Sequence, residues 1–277
     1  NLINGGMQVG QRGSVNFATT NNLYGWVDHW LISISGTTVS ALGRQASGIA
    51  ETTTGYALQV GNVTTTGSTL IAVSQRIEAI NTFDLNSKTI TVSGKVKQVT
   101  GAAQTLTIGI NKPTASDNYA TVVAVGSTTM SIPDSVWTPF TYTLTLGAAD
   151  ATNGLSVNLT YASLAAQTNT QFYFADIQLE KGTVATPFEV RSYGAELVLC
   201  QRYYEVSGAT VTSAYPPFFH RVLKVTKRAV PSVAIITGSS AGADFDVAAG
   251  DFNSFRWPAG IVATTTSYTV FAVDAEL

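Results

Sequence analysis

The 277-residue sequence predicts an all-β fold: an antiparallel jelly-roll β-sandwich, a short linker helix and a smaller C-terminal β-domain. Three observations support this prediction. Apolar and polar residues alternate with a period of two through most of the chain, as in half-buried strands. Turn-forming residues separate these segments at short intervals. A single segment, at residues 191–206, has the apolar spacing of an amphipathic helix.

The composition restricts the possible partners. Hydrophobic residues make up 45% of the chain, which is enough to build a core, but charged residues make up only 12%, about half of the usual share of roughly 25%. The formal net charge is −2, so we expect no basic face for nucleic acid. No apolar run reaches the ~18 residues of a membrane helix, and we expect no membrane insertion. A polar but uncharged surface is typical of proteins outside cells that contact neutral polymers such as glycans.

Residues 1–190 are predicted to form the jelly-roll domain. The clearest strand is 139–146, in which large apolar side chains occupy the even positions and threonines separate them. The same alternation occurs at Ile90 and Val92, at Leu106, Ile108 and Ile110, and at Leu155, Val157, Leu159 and Tyr161. Because many strands follow one another without intervening helices, we expect antiparallel sheets. Trp137 and Phe140 are assigned to the core.

Residues 191–206 are predicted to form the linker helix. Ser192 is a suitable N-cap, and one helical face carries four apolar residues, Tyr193, Leu197, Cys200 and Tyr204. Cys200 is the single cysteine, so an internal disulfide is excluded and a buried structural thiol is expected.

Residues 207–277 are predicted to form the small C-terminal β-domain. Strands are expected at 222–226, 233–235, 252–257 and 267–273, with Pro231 and a Gly/Ala/Ser-rich loop at 238–243 between them. A domain of this size has a marginal core. We therefore expect it to pack against the first domain or against sister chains.

Two parts of the sequence carry a family resemblance. The first comprises NLINGGMQV at residues 1–9, QRG at 11–13 and DHW at 28–30. The second comprises DIQLEKG at 176–182, ATPFE at 185–189, EL at 196–197 and CQRYY at 200–204. They resemble the two ends of a domain common in phage and prophage tail proteins, with the linker helix of many tail fibres. QRIE at 75–78 and the strand near Lys88 are similar to the jelly roll of carbohydrate-binding modules.

The resemblance covers residues 1 to about 205 and implies a receptor-binding protein of a phage tail fibre or tailspike. Such a protein attaches the virion to a bacterial surface polysaccharide, usually as a homotrimer joined to other tail proteins. The implied location is the extracellular virion tail, after synthesis in the host cytoplasm. Because Asn1 replaces an initiator Met, we expect that an upstream part of the protein is missing.

The resemblance also implies a structural calcium ion. It would be held by the segment around Asn4–Gly6 together with Asp176. Relatives often carry a larger charged or aromatic residue where this chain has Gly6, and Gly6 offers only its carbonyl oxygen. We therefore predict no metal site and no cofactor.

Catalysis is not predicted, because the residues that common mechanisms need are scarce. The only histidines are His29 and His220, and nucleophilic catalysis commonly needs a histidine beside Ser or Cys. The sequence contains no phosphate-binding loop that ends in Gly-Lys-Ser/Thr. Two alternatives to receptor binding stay open: a structural virion protein, such as a decoration protein or fibre connector, and a glycan depolymerase.

Aromatic residues supply the candidate receptor contacts, because flat rings stack on the apolar faces of sugars. One group opens the first domain, and a second accompanies the extended Pro216–Pro217 loop of the last domain, with a counterpart at Trp257–Pro258. This second group fits either a subunit interface or a receptor-contacting tip. The candidate glycan- or receptor-binding residues are Tyr24, Trp26, Tyr215, Phe218, Phe219, His220 and Trp257.

Overall fold

The structure is a computed structural model that describes residues 2–13, 15–17, 21–211, 219–237, 254–257 and 267–277. Two units are separated by their internal contacts: one spans Asn1–Ser192 and includes Leu277, and the other spans Tyr193–Glu276. Strands dominate the described residues and the single α-helix is short, which confirms the all-β prediction. No helix in this part of the chain is long and apolar enough to cross a membrane.

The described part of the first unit is built around one curled antiparallel sheet of ten strands. The strands are β1 (Val15–Phe17), β2 (Asn21–Tyr24), β3 (Leu31–Ser47), β4 (Tyr56–Ile77), β5 (Thr89–Val99), β6 (Gln104–Ala115), β7 (Asn118–Ile132), β8 (Thr138–Thr145), β9 (Leu155–Leu164) and β10 (Gln167–Lys181). Two 3-10 turns, η1 (Ala79–Asn81) and η2 (Phe83–Leu85), connect β4 to β5. The main path of the sheet runs β7-β6-β9-β4-β10-β5-β8.

The long strand β4 joins the two halves of this sheet. Its residues 69–77 pair with β9, whereas its residues 58–65 pair with β10. Strand β3 follows β4 along the opposite edge. Between the two paired segments lies Gly67, whose φ of +90° favours glycine. The sheet therefore carries β9, β6 and β7 on one half and β10, β5 and β8 on the other.

The hydrophobic core contains side chains from both halves of the sheet. Leu155, Val157, Leu159 and Tyr161 are all fully buried in one cluster, as their alternation predicted. Phe140 of β8 is also in the core, whereas Thr141 on the other face of the strand is exposed. The assignment of Trp137 to the core was wrong, because its side chain is only half-buried.

The two stretches that carry the family resemblance meet in the first unit. The backbone N–H of Ile177 donates to the carbonyl of Gly5 at 3.0 Å. A Cβ at Gly5 would lie 2.0 Å from the carbonyl oxygen of Ile177, so only glycine fits there. The buried Asn4 side chain donates to the carbonyls of Val9 and Asp28 at 2.8 and 3.0 Å. These bonds tie the opening segment to the sheet region.

The second unit begins with helix α1 (Tyr193–Gln201), which is shorter than the predicted 191–206. Cys200 is buried, as expected. Glu196, one helical turn earlier in α1, is also buried. The predicted apolar face is wrong at Tyr193, which is 54% exposed. It is also wrong at Tyr204, which begins a strand, because the helix ends before the pattern is complete.

The rest of the second unit is described as two small antiparallel sheets. Its strands are β11 (Tyr204–Val211), β12 (Phe219–Val222), β13 (Ser232–Thr237), β14 (Ser254–Trp257) and β15 (Ser267–Asp274), with β11-β15-β13 in one sheet and β12-β14 in the other. The predicted strand at 222–226 was wrong, since β12 ends at Val222. The N–H of Lys224 donates to the Glu205 carboxylate at 3.2 and 3.3 Å and not to a strand.

Candidate functional site

The outer face of β8, β5 and β10 offers polar and aromatic side chains to solvent. The register aligns Pro139 with Lys95, and Thr141 with Ser93 and Gln178 across the strands. Thr141 and Pro139 are exposed because the intervening residue, Phe140, points into the core. We refer to the surface formed by Trp137, Pro139, Thr141, Lys95, Lys97 and Tyr173 as the β8–β5–β10 face.

Two aromatic rings meet at one end of the β8–β5–β10 face. Tyr173 points outward, because its neighbours Phe172 and Phe174 are buried in the core. Its ring centroid lies 6.0 Å from that of Trp137, with an angle of 56° between the planes. Strand β5 separates β8 from β10 in the sheet, so the two rings meet across β5. Both side chains are half-buried and present part of their ring surface to solvent.

Amide side chains fix the orientation of Tyr173. Gln59 on β4 lies opposite Tyr173, and its Nε2 donates to the tyrosine hydroxyl at 2.9 Å. The same Nε2 donates to Oε1 of Gln171 at 2.8 Å, and Oε1 of Gln171 also accepts from the Tyr173 hydroxyl. Gln59 is 2% exposed. The network therefore holds the Tyr173 ring in place before any ligand binds.

A pocket of about 350 Å³ adjoins the aromatic pair on the same face, within the ~300–1,000 Å³ range of small-molecule sites. Its floor includes Lys95, Pro139 and Thr141, and segment 185–188 forms a wall. The side chain of Gln178 holds this wall by donating to the carbonyl of Thr186 at 2.8 Å. The pocket thus combines hydroxyl, amide and ammonium groups with apolar ring and methylene surface.

The environment of Asp176 does not fit the calcium ion that the family resemblance implies. The carboxylate accepts from the N–H and hydroxyl of Thr53, at 2.9 and 2.7 Å, and lies 3.0 Å from Nζ of Lys95. The carbonyl of Gly6 accepts from the hydroxyl of Thr54 at 2.6 Å. Protein donors therefore engage these oxygens, and the Lys95 ammonium supplies the positive charge. Among the described residues, no three His, Cys, Asp or Glu side chains are grouped to hold a metal.

A second carboxyl group near the aromatic pair belongs to Asp134. Its pKa lies below the ordinary value, chiefly because the hydroxyl of Ser135 donates to it. The N–H groups of Thr100 and Gly101 also donate to it, each at 2.8 Å. The carboxylate is therefore engaged in fixing the turn that precedes Trp137.

The sequence-predicted site residues of the first unit lie apart from the aromatic pair. Tyr24 is half-buried with its ring 5.5 Å from the guanidinium carbon of Arg12. Trp26 packs on Gly10, where an added Cβ would lie 2.1 Å from the indole. Neither residue lines the 350 Å³ pocket.

The remaining predicted residues belong to the second unit. Tyr215 and Phe218 lie outside the described residues, and only the backbones of Phe219, His220 and Trp257 are described. The backbone register of β12 and β14 pairs Phe219 with Trp257.

Sequence reasoning predicted none of the residues of the β8–β5–β10 face or its supporting amides as site residues. The residues it missed include Gln59, Lys97, Trp137, Gln171 and Tyr173. One available signal was the pattern Phe172-Tyr173-Phe174, in which a strand with two inward phenylalanines must direct the tyrosine outward. No sequence signal brings Gln59 or Trp137 to Tyr173, because those contacts depend on strand order.

No protein-family model matches the chain, and no curated protein matches it. Several solved structures that match the chain are carbohydrate-binding modules. One, from the β-sandwich superfamily, is 15% identical with a TM-score of 0.41 and covers 59% of this chain and 63% of its own. The xylan-binding domain of a Paenibacillus barcinonensis protein is 12% identical with a TM-score of 0.39 and covers 65% and 93%.

A further match is the enzymatically active domain of tailspike protein 4 from bacteriophage CBA120. It is 13% identical with a TM-score of 0.39 and covers 55% of this chain but 19% of the tailspike chain. This chain therefore spans less than two thirds of the length of two of these three proteins.

Proposed function

We propose that this protein is a non-catalytic glycan-binding protein that attaches a phage tail fibre to a bacterial surface polysaccharide. The observation that carries the proposal is the pre-oriented Trp137–Tyr173 pair, 6.0 Å apart, beside a polar pocket of about 350 Å³. Sugars have apolar faces that stack on aromatic rings and hydroxyl groups that need donors and acceptors. The β8–β5–β10 face offers both in one place.

Pre-orientation favours binding because it lowers the entropy lost when the ligand binds. The bonds from Gln59 and Gln171 to Tyr173 restrict one ring, and contact between the rings restricts Trp137. Each stacked ring contributes modest affinity, about 0.5–1.5 kcal/mol. A homotrimer would present three such faces, and multivalency would raise the apparent affinity for a repeating polymer.

A binding role also agrees with the state of the carboxylates beside the pocket. Asp176 is held by Thr53 and Lys95, and Glu180 accepts from Gln178 and Thr186. Glycoside hydrolysis needs one carboxyl group as acid and another as base or nucleophile across the sugar. Because these carboxylates are already bound by protein donors, they are better suited to hold the pocket wall than to transfer protons.

The tail-fibre part of the proposal draws on the two sequence stretches that resemble phage tail proteins. These stretches form one structural junction through Gly5 and Ile177. We place the protein at the extracellular virion tail, as a homotrimer attached to other tail proteins.

The test is adsorption of purified protein to host bacteria and to isogenic strains that lack surface polysaccharide. Trp137→Ala and Tyr173→Ala should each weaken binding about three- to tenfold per ring. Phe83→Ala is the matched control, because Phe83 is 68% exposed on η2, which precedes β5, whereas Tyr173 pairs with Lys97 near the other end of that strand. Its binding should equal that of the parent protein.

The outcomes separate the alternatives. Equal adsorption by the parent protein to both strains, or none to either, would favour a structural virion protein. Release of reducing ends from purified polysaccharide would establish a depolymerase and overturn the non-catalytic assignment.

A further inference from the structure

Lys97 occupies a central position on the β8–β5–β10 face. It lies directly opposite Tyr173 in the β5–β10 register, so their Cβ atoms are about 4.5–5.5 Å apart. Strand β5 runs beneath the contact between Trp137 and Tyr173, because it lies between their strands. The half-buried side chain of Lys97 therefore emerges beside the two rings.

Lys97 differs from four of the other lysines because it has no carboxylate partner among the described residues. Lys95, Lys112, Lys181 and Lys227 each have a carboxylate oxygen within 3.0 Å of Nζ. Over the described ranges of the chain, Lys97 forms no such ion pair within 4.0 Å. The side chains that bond Tyr173, the residue opposite Lys97, are the neutral amides of Gln59 and Gln171.

Asp134 is the acidic group that feels the charge of Lys97, but only weakly. Its carboxylate is already bound by the N–H groups of Thr100 and Gly101 and by the Ser135 hydroxyl. A lysine whose side chain is half-buried beside aromatic rings attracts an anionic ligand group more strongly than a fully solvated lysine would. The formal net charge of the protein is −2, so the attraction for an anion comes from Lys97 itself and not from the overall charge.

We propose that the glycan bound by this face is acidic, and that a uronate carboxylate of the polymer pairs with Lys97 while a sugar ring stacks on Trp137. This inference rests on the proposed function and specifies its ligand class. It departs from the sequence-based expectation of a neutral glycan. The low charge of the sequence led to that expectation, whereas Lys95 and Lys97 both lie on this face.

The experiment uses the full chain and the surface polysaccharide to which it binds most tightly in a panel of bacterial polysaccharides. The probe is that polymer in its native form and after carbodiimide–borohydride reduction of its carboxylates. Lys97→Met should weaken binding of the native polymer about tenfold or more, the range of a charge-assisted contact. Lys97→Arg should retain binding, and rising salt should weaken the parent protein more than Lys97→Met.

Lys88→Met is the matched control, because Lys88 is exposed directly before the first residue of β5, about 30 Å from Lys97 along the chain. A best-binding polymer without uronate overturns the inference, as does equal binding of the native and reduced polymers. If Trp137→Ala weakens binding as expected while Lys97→Met and carboxyl reduction have no effect, the proposed function survives and the acidic ligand class is wrong. If Trp137→Ala has no effect either, the proposed function itself fails.

Discussion

Replacing Tyr161 with phenylalanine should stabilise the first unit. Tyr161 is 0% exposed on β9, with its ring centroid 5.0 Å from that of Phe172 and 6.2 Å from that of Phe174. None of the described residues provides its hydroxyl with a hydrogen-bond partner. Burial raises the pKa of the phenol far above its ordinary value of 10.0. The Tyr161 hydroxyl is therefore protonated, and it has no acceptor among the described core residues.

The magnitude follows from two opposing terms. A buried polar group without a partner costs about 1–3 kcal/mol, which Tyr161→Phe recovers. A residual void the size of one oxygen atom, roughly 15 Å³, costs about 0.4 kcal/mol at ~24 cal/mol per Å³. The net gain should be about 1 kcal/mol, which corresponds to a rise in Tm of about 2–4 °C for a unit of this size.

The assay is urea and thermal unfolding followed by circular dichroism, with Tyr119→Phe as the control. The Tyr119 hydroxyl lies 2.7 Å from the carbonyl of Ile77 and 2.9 Å from that of Leu155. The same chemical change at Tyr119 should therefore destabilise the unit by about 0.5–1.5 kcal/mol. The two substitutions should have opposite signs. A loss of stability of 1 kcal/mol or more in Tyr161→Phe, as if an ordered water bound the hydroxyl, would refute the reasoning.

Three further predictions concern charged groups. Lys227→Met should destabilise the second unit by about 3–5 kcal/mol in urea unfolding, because Nζ lies 2.9 Å from the buried Glu205 carboxylate; recovery on adding Glu205→Gln is the check. The pKa of Asp150 lies below its ordinary value of 3.8, chiefly because Lys112 donates to it, so its stabilisation is present above that value and is lost as pH falls through the folded-state pKa. Lys112→Met should raise that pKa in an NMR titration, and an unchanged titration would contradict the assignment. EDTA should leave Tm unchanged, because the ammonium of Lys95 neutralises the carboxylate of Asp176. A clear drop in Tm would show that a metal binds.

The alternating segments of the sequence were sufficient to predict the fold class. At 155–161 the pattern identified the strand and its buried face, because side chains of a strand alternate between faces regardless of its neighbours. Local patterns were less reliable where a strand or helix ends. The strand predicted at 222–226 and the helix predicted at 191–206 both ended early. Those ends depend on long-range partners such as Glu205, whose carboxylate accepts from Lys224.

The candidate site illustrates the same division between local and long-range information. The outward direction of Tyr173 could be predicted from its sequence neighbours Phe172 and Phe174. Its contact with Gln59 could not, because 114 positions separate the two residues in the chain. Trp137 looked like a core residue beside a strong strand, yet it reaches Tyr173 across β5.

The sequence by itself determined that the chain forms antiparallel strands with one inward face each, a low-charge surface and a short helix before a second unit. The tertiary structure alone decided which outward side chains share a surface, and therefore that two rings, two amides and Lys97 stand together. The physical reason is that alternation is a property of consecutive residues. Strand order and register, in contrast, are selected by packing of the whole core.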